Sequence, residues 1–145
     1  AVQAFDKHIP REVPRIALVD TFKDEVEESI NVAKVMRNKL EGVRLDTPRE
    51  RGGVTPDLVK ELRVKLNLAD GQHVQIFVSG GITPDRIREF IKSGAEIDGF
   101  GIGSFITRAV PNDFTADIHQ IEGKPIAKRG RLPGITDNPR LERLL

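Results

Sequence analysis

Residues 74–104 read VQIFVSGGITPDRIREFIKSGAEIDGFGIGS and contain two apolar runs separated by an amphipathic segment. The first run, residues 74–78, ends in Ser-Gly-Gly, and the second, residues 97–102, leads into Gly-Ser. Between them, Thr83 and Pro84 predict the start of a helix, because threonine favours the N-cap and proline the first turn. Ile87, Phe90 and Ile91 would face the sheet, and Gly94 would end the helix. This order predicts two parallel strands joined by a helical crossover.

The same rhythm occurs twice upstream. Residues 16–19 (IALV) predict a strand that ends at Asp20, and an unbroken apolar run is typical of a strand covered on both faces. A helix should follow over residues 23–40, with Val26, Ile30, Ala33 and Leu40 towards the sheet and Gly42 at its end. Residues 43–45 (VRL) predict a second strand, followed by a Thr-Pro cap at residues 55–56 and another helix.

Four βα units are half of an eight-stranded barrel, which needs at least about 200 residues. The 145 residues present therefore predict an α/β fold, namely a partial (βα) barrel of about four parallel units, half of a TIM-like barrel. A β-hairpin near residues 116–127 and a loose tail should follow. We place the domain boundary between residues 1–110 and 111–145.

Composition limits the possible partners. Lys and Arg number 23 against 22 Asp and Glu, so a net charge of +1 gives no general attraction to nucleic acid or to an anionic membrane. The absence of cysteine excludes disulfides and thiolate metal sites. No apolar run approaches the ~18 residues of a membrane span, so we expect a soluble, cytoplasmic protein.

The four predicted strands end at Asp20, Asp46, Ser79 and Gly101, and parallel strands bring these ends to one face. That face carries the active site in barrel enzymes. The two last ends are glycine-rich, and such loops often bind phosphate through exposed backbone amides. The alternative for each loop alone is that its glycines only satisfy the geometry of a turn.

Two charged residues of the second strand need an explanation. Arg44 and Asp46 are two positions apart, so their side chains should share one face at the barrel mouth. They are either a structural ion pair or groups that bind a ligand. Asp20 has its own alternative, because it could simply cap the following helix.

Four ordered blocks resemble the nicotinate phosphoribosyltransferase family, which consists of type II phosphoribosyltransferases: ALVDTFKDE (17–25), GVRLDTP (42–48), FVSGGI (77–82) and DGFGIGS (98–104). The resemblance implies a fragment of an enzyme of NAD biosynthesis that forms nicotinate mononucleotide from nicotinate and phosphoribosyl pyrophosphate. Residues 79–103 are also similar to quinolinate phosphoribosyltransferase, although the first two blocks favour nicotinate. A third possibility is a non-catalytic phosphate-binding half-barrel.

The resemblance also implies roles for individual residues. Asp20, Arg44 and Asp46 would be catalytic, with Asp46 on the ribose hydroxyls or, indirectly, on magnesium that accompanies the substrate. ATP coupling in the complete enzyme stays open. The phosphate of the substrate would lie against Ser79, Gly80, Gly81, Gly101, Ile102, Gly103 and Ser104.

The family has an N-terminal domain and earlier barrel strands that this chain lacks. We therefore expect a missing N-terminal half or another copy of the chain as partner, a homo-oligomer, and no activity from this fragment alone. Residues 111–145 would belong to the adjoining sandwich domain.

Overall fold

A computed structural model describes residues 1–140 of the chain. Two compact units are present, Ala1–Ala109 and Val110–Leu145. The first unit contains one sheet of four parallel strands, which follow one another in chain order across the sheet. These strands are β1 (Ile16–Leu18), β2 (Gly42–Leu45), β3 (Gln75–Val78) and β4 (Gly99–Phe100). The predicted partial barrel of four parallel units is confirmed.

The helices of the first unit alternate with these strands. They are α1 (Val2–His8), α2 (Glu25–Met36), α3 (Pro56–Leu68), α4 (Pro84–Ser93) and α5 (Ser104–Thr107), with 3₁₀ turns at Arg37–Lys39 and Arg49–Arg51. Both Thr-Pro caps are confirmed, since Thr55 accepts a hydrogen bond from the amide of Leu58 and Thr83 from that of Arg86. Gly94 ends α4 with a φ of 70°, as predicted.

The core lies between one face of the sheet and the helices. Val43, Leu45, Ile76 and Val78 are fully buried on the helix side, where they pack with residues such as Phe90. The opposite face is open: Ile16 and Leu18 of β1 are 38% and 44% exposed. The prediction that β1 is covered on both faces is therefore wrong for this chain by itself.

The boundaries of α2 differ from the prediction. Asp24 accepts hydrogen bonds from the amides of Val26 and Glu27, so the helix begins at Glu25 rather than at residue 23. It ends at Met36, the C-cap residue Arg37 has a φ of 51°, and Gly42 is the first residue of β2. Ala33 and Leu40 are buried as predicted, and Val26 and Ile30 are partly buried against the core. Glu25, Ser29, Val32 and Met36 are also buried, which was not predicted.

Other local predictions were also inexact. In α4, Phe90 is buried and Ile87 packs against the core as predicted, but Ile91 is 70% exposed. Strand β4 contains only two residues, and nothing in the sequence pattern had indicated α1. No helix within residues 1–140 is long and apolar enough to cross a membrane.

The second unit contains the predicted hairpin, formed by β5 (Gln120–Ile121) and β6 (Lys124–Pro125). Asp117 pairs with Lys128 and Arg131, and these two cations hold the pKa of Asp117 below its usual value. The amide of Gly134 donates to the carbonyl of His119, so part of the predicted loose tail is hydrogen-bonded. Residues 141–145 of that tail lie outside the described residues. The assignment of residues 111–145 to an adjoining sandwich domain stays a prediction.

Candidate functional site

The charged residues of the predicted site lie at the C-terminal ends of β1 and β2. In β2, Arg44 lies on the open face between Leu18 of β1 and Phe77 of β3. The closest approach of its guanidinium to Asp46 is 4.0 Å, and the two side chains are 47% and 38% exposed. They share one face, as predicted. An ion pair this long and this exposed contributes little to stability, which weakens the purely structural alternative.

Asp20 follows β1 and does not cap α2, because Asp24 performs that function. The capping alternative for Asp20 is therefore wrong. Its Oδ1 atom is buried without a hydrogen-bond partner among the described residues. Burial raises the pKa of Asp20, and the nearby carboxylates of Asp46 and Glu25 raise it further. A hydrogen bond to the backbone of Asp20 and the charge of Arg44 oppose this rise of the pKa. Asp20 thus lies near the charged side chains of Asp46, Glu25 and Arg44.

The loop after β3 approaches Asp46 directly. Gly80 has a φ of +85°, and a β-carbon added there would be 2.7 Å from Oδ1 of Asp46. Glycine is therefore required at position 80 for two reasons. Its backbone conformation is unfavourable for other residues, and the carboxylate of Asp46 occupies the space that a β-carbon would need. This contact joins the end of β2 to the glycine loop after β3.

The second glycine-rich loop lies against the first. A β-carbon at Gly101 would be 2.9 Å from the β-carbon of Ser79, so the two strand ends touch. At Gly103, by contrast, an added β-carbon would meet no atom within 4 Å. The structure thus brings together the two loops that the sequence indicated.

The predicted phosphate-binding residues differ in the groups that they can offer. Ser79 donates both its amide and its hydroxyl to the carbonyl of Leu45, at 2.8 and 3.2 Å. Gly101 donates its amide to the carbonyl of Val78 at 2.8 Å. These two residues hold the strands together, so their amides are already engaged. The amides of Gly80, Gly81, Ile102, Gly103 and Ser104 have no backbone acceptor within residues 1–140.

Sequence reasoning missed two buried residues next to this site. The hydroxyl of Thr47 donates a 2.8 Å hydrogen bond to the carboxylate of Glu25. Both residues are buried, with 6% and 5% exposure. A threonine after the strand-end aspartate was visible in the sequence, but its partner 22 positions away was not.

Arg49, in the 3₁₀ turn after β2, was also missed. A β-carbon at Gly81 would be 3.5 Å from its Nη2 atom, so the guanidinium lies beside the glycine loop. The signal for this position was weak: Arg49 comes three residues after the strand-end Asp46.

A metal ion has few protein ligands here. No group of three or more His, Cys, Asp or Glu side chains is arranged to hold a metal among the described residues. The unpartnered Oδ1 of Asp20 and the carboxylate of Asp46 are hard oxygen ligands of the type that magnesium prefers. Two such oxygens fit a magnesium ion that is held mainly by other ligands, and the indirect role of Asp46 stays a prediction.

An apolar cavity of about 230 Å³ lies elsewhere, beside β1. Phe5, Ile16 and Leu18 contribute to its wall, and none of the candidate site residues does. Since β1 is an edge strand, this cavity belongs to the open edge of the sheet and not to the strand ends.

This chain is similar to known proteins in sequence and in fold. Residues 1–117 match the family described as quinolinate phosphoribosyl transferase, C-terminal domain. The crystal structure of nicotinate-nucleotide pyrophosphorylase from Pyrococcus furiosus is 47% identical, with a TM-score of 0.72 over 93% of this chain. The chain spans 34% of the length of that protein.

These matches do not single out nicotinate phosphoribosyltransferase, and they support the quinolinate alternative better. The family match extends over the whole of the first compact unit and continues beyond it to residue 117. The chain belongs to the quinolinate phosphoribosyltransferase family of type II phosphoribosyltransferases and corresponds to its C-terminal domain.

Proposed function

We propose that the complete protein transfers a phosphoribosyl group from phosphoribosyl pyrophosphate to a pyridine carboxylate, and so forms nicotinate nucleotide for NAD biosynthesis. The family match over residues 1–117 supports the type of reaction, and the name of the similar Pyrococcus furiosus protein supports the nucleotide. The structural observation that carries the proposal is the contact of Asp46 with Gly80, because it joins a carboxylate to a loop with free amides.

The two glycine-rich loops would hold the 5-phosphate of the substrate. Gly80 and Gly81, at φ values of +85° and +67°, offer amides that no backbone carbonyl in residues 1–140 accepts. Ile102, Gly103 and Ser104 offer amides from the neighbouring strand end. Ser79 and Gly101 would support the site by fixing the strands, since their own amides are engaged.

Asp46 would hold the ribose hydroxyls, because its Oδ1 lies next to the loop assigned to the 5-phosphate. Departure of pyrophosphate leaves positive charge on the ribose, and the carboxylates of Asp46 and Asp20 would stabilise it. Arg44 would bind the carboxylate of the acceptor, as a cation on the open face of β2. Magnesium bound to the pyrophosphate would neutralise the charge of the leaving group.

The family match favours quinolinate as the acceptor. Nicotinate is the second candidate, because the VDTFKDE and RLDTP blocks resemble that family more closely. Both acceptors give the same nucleotide, but quinolinate carries one carboxylate more and must release it as carbon dioxide. The purified full-length protein should therefore be incubated with phosphoribosyl pyrophosphate, magnesium and each acceptor, with and without ATP.

The expected result is nicotinate nucleotide from quinolinate, with one carbon dioxide released for each nucleotide. Nucleotide formation from nicotinate alone would favour the second candidate, and any stimulation by ATP would be recorded in the same assay. If neither acceptor is consumed while ribose 5-phosphate still binds, the non-catalytic phosphate-binding half-barrel would be correct.

The open face of the sheet supports a further part of the proposal. Ile16 and Leu18 are partly exposed, and β1 and β4 are edge strands. Unpaired parallel edges and exposed apolar strand residues are normally covered. We expect the missing part of the barrel, or another copy of the chain in a homo-oligomer, to cover them. The 145-residue chain alone should then be inactive, which the same assay measures.

A further inference from the structure

The guanidinium of Arg49 lies alongside the glycine loop after β3. A β-carbon at Gly81 would be 3.5 Å from Nη2 and 3.9 Å from Nε of this arginine. The preceding glycine, Gly80, lies next to the carboxylate of Asp46. A cation and an anion thus flank two successive glycines of one loop.

The turn that carries Arg49 is held by its own backbone. The amide of Gly52 donates to the carbonyl of Arg49, and the amides of Arg51 and Gly53 donate to the carbonyl of Pro48. The backbone position of Arg49 is therefore fixed by these hydrogen bonds, and its guanidinium is not needed to hold the turn. Within residues 1–140 no carboxylate lies within 4.0 Å of that guanidinium.

The loop beside Arg49 also has unused donors. The amides of Gly80 and Gly81 have no backbone acceptor in the described part of the chain, and Gly81 is held at a φ of +67°. Backbone N–H groups and a guanidinium can only donate hydrogen bonds. Together they suit an anion with several oxygens. A phosphate is such an anion, and arginine can contact it through two parallel hydrogen bonds.

We propose that Arg49 is a further phosphate-binding residue, whose guanidinium completes the site formed by the amides of Gly80 and Gly81. This inference rests on the proposed phosphoribosyltransferase function. The phosphate belongs either to the ribose 5-phosphate or to the pyrophosphate of the substrate. We favour the ribose 5-phosphate, since Asp46, assigned to the ribose, contacts the adjoining Gly80.

The test is calorimetric titration of the full-length protein with ribose 5-phosphate and, separately, with pyrophosphate. Arg49→Ala should weaken the binding of ribose 5-phosphate by about tenfold to a hundredfold, the effect of losing a charge-assisted hydrogen bond. Arg49→Lys should bind with intermediate affinity, because lysine keeps the charge but lacks the planar fork.

Arg51→Ala is the matched control. Arg51 belongs to the same exposed 3₁₀ turn, but no atom of it lies within 4 Å of a β-carbon at Gly81. Its removal changes the net charge equally, so affinity should stay within about twofold of wild type if the contact and not the charge matters. Unfolding midpoints should be the same for both variants, since Arg49 and Arg51 are exposed.

The two ligands separate the sources of the phosphate. A loss confined to pyrophosphate would assign Arg49 to the leaving group, and it would still support phosphate binding by this residue. If Arg49→Ala and Arg51→Ala bind both ligands like the wild type, the inference is wrong while the proposed function stands. If the wild-type protein binds neither ligand, the phosphate site and the role of Arg49 are both wrong.

Discussion

The hydroxyl of Thr47 donates a 2.8 Å hydrogen bond to the buried carboxylate of Glu25, and this bond joins the start of α2 to the residue after Asp46. Glu25 is the first residue of α2, where a negative charge is favourable. The loops that follow β1 and β2, which carry Asp20 and Asp46, are thereby fixed to each other.

Replacing Thr47 by valine should therefore destabilise the protein. The change keeps the shape of the side chain but leaves the buried carboxylate of Glu25 without this donor, at a cost of about 1.5–3 kcal/mol. Thr47→Ser keeps the hydroxyl and should lose much less. Urea unfolding of the three proteins measures the difference, and equal stability of Thr47→Val and wild type would show that the bond contributes nothing.

Alanine at Gly80 and at Gly103 should have different effects on stability. Gly80→Ala places a β-carbon at a φ of +85° and 2.7 Å from the carboxylate of Asp46, so we expect a loss of at least about 1–2 kcal/mol. Gly103→Ala meets open space and should change stability by no more than about 0.5 kcal/mol.

Gly103→Ala also tests the phosphate site. If a phosphate approaches the amide of Gly103 closely, Gly103→Ala should weaken the binding of phosphoribosyl pyrophosphate without changing the unfolding midpoint. Calorimetry on the full-length protein measures this affinity. Unchanged affinity would remove Gly103 from the set of phosphate-binding residues.

The pKa of Asp20 predicts a pH dependence of stability. Burial raises this pKa in the folded protein above its ordinary value of 3.8, so the protonated form is favoured by folding. The corresponding stability is fully present below the ordinary pKa and is lost as the pH rises through the raised pKa. Asp20→Asn avoids this loss.

The stability of Asp20→Asn relative to wild type should consequently increase between about pH 3 and about pH 7. Urea unfolding of both proteins at the two pH values is the measurement. A constant difference would indicate that the native and unfolded states share the same pKa at Asp20, and a decrease would indicate a lowered pKa.

Local sequence patterns were sufficient for the parallel order and for the starts of α3 and α4. Thr55 and Thr83 cap these helices through contacts three residues away, so the signal lies within one turn. The end of α2 was not predictable in this way. A positive φ at a helix end is usually signalled by glycine, but here the residue is Arg37.

The site was predictable only as a set of strand ends. The parallel order of the strands places Asp20, Asp46 and the two glycine loops at the same edge of the sheet. It does not predict which of their atoms are in contact. Which amides are free depends on contacts between strands, such as the two bonds from Ser79 to Leu45, and these are separated by 34 positions in the sequence. The position of Arg49 beside Gly81 likewise depends on how a 3₁₀ turn directs its side chain.

Arg44→Lys tests the binding of the acceptor. Lysine keeps the charge but loses the planar fork of the guanidinium, so we expect a higher KM for the pyridine carboxylate with a smaller change in kcat. The ion pair with Asp46 is long and exposed, so the unfolding midpoint should hardly change. A shifted midpoint with unchanged kinetic constants would assign Arg44 to structure instead.

The most direct measurement is the turnover of Asp46→Asn in the full-length protein, with phosphoribosyl pyrophosphate and the preferred pyridine carboxylate. Asparagine keeps the shape of Asp46 beside Gly80 but removes the charge that should stabilise the cationic ribose. We predict that kcat falls about a hundredfold, the scale of one electrostatic contact in a transition state, while the unfolding midpoint stays near that of wild type. Wild-type kinetic constants combined with a shifted midpoint would contradict a catalytic site at these strand ends.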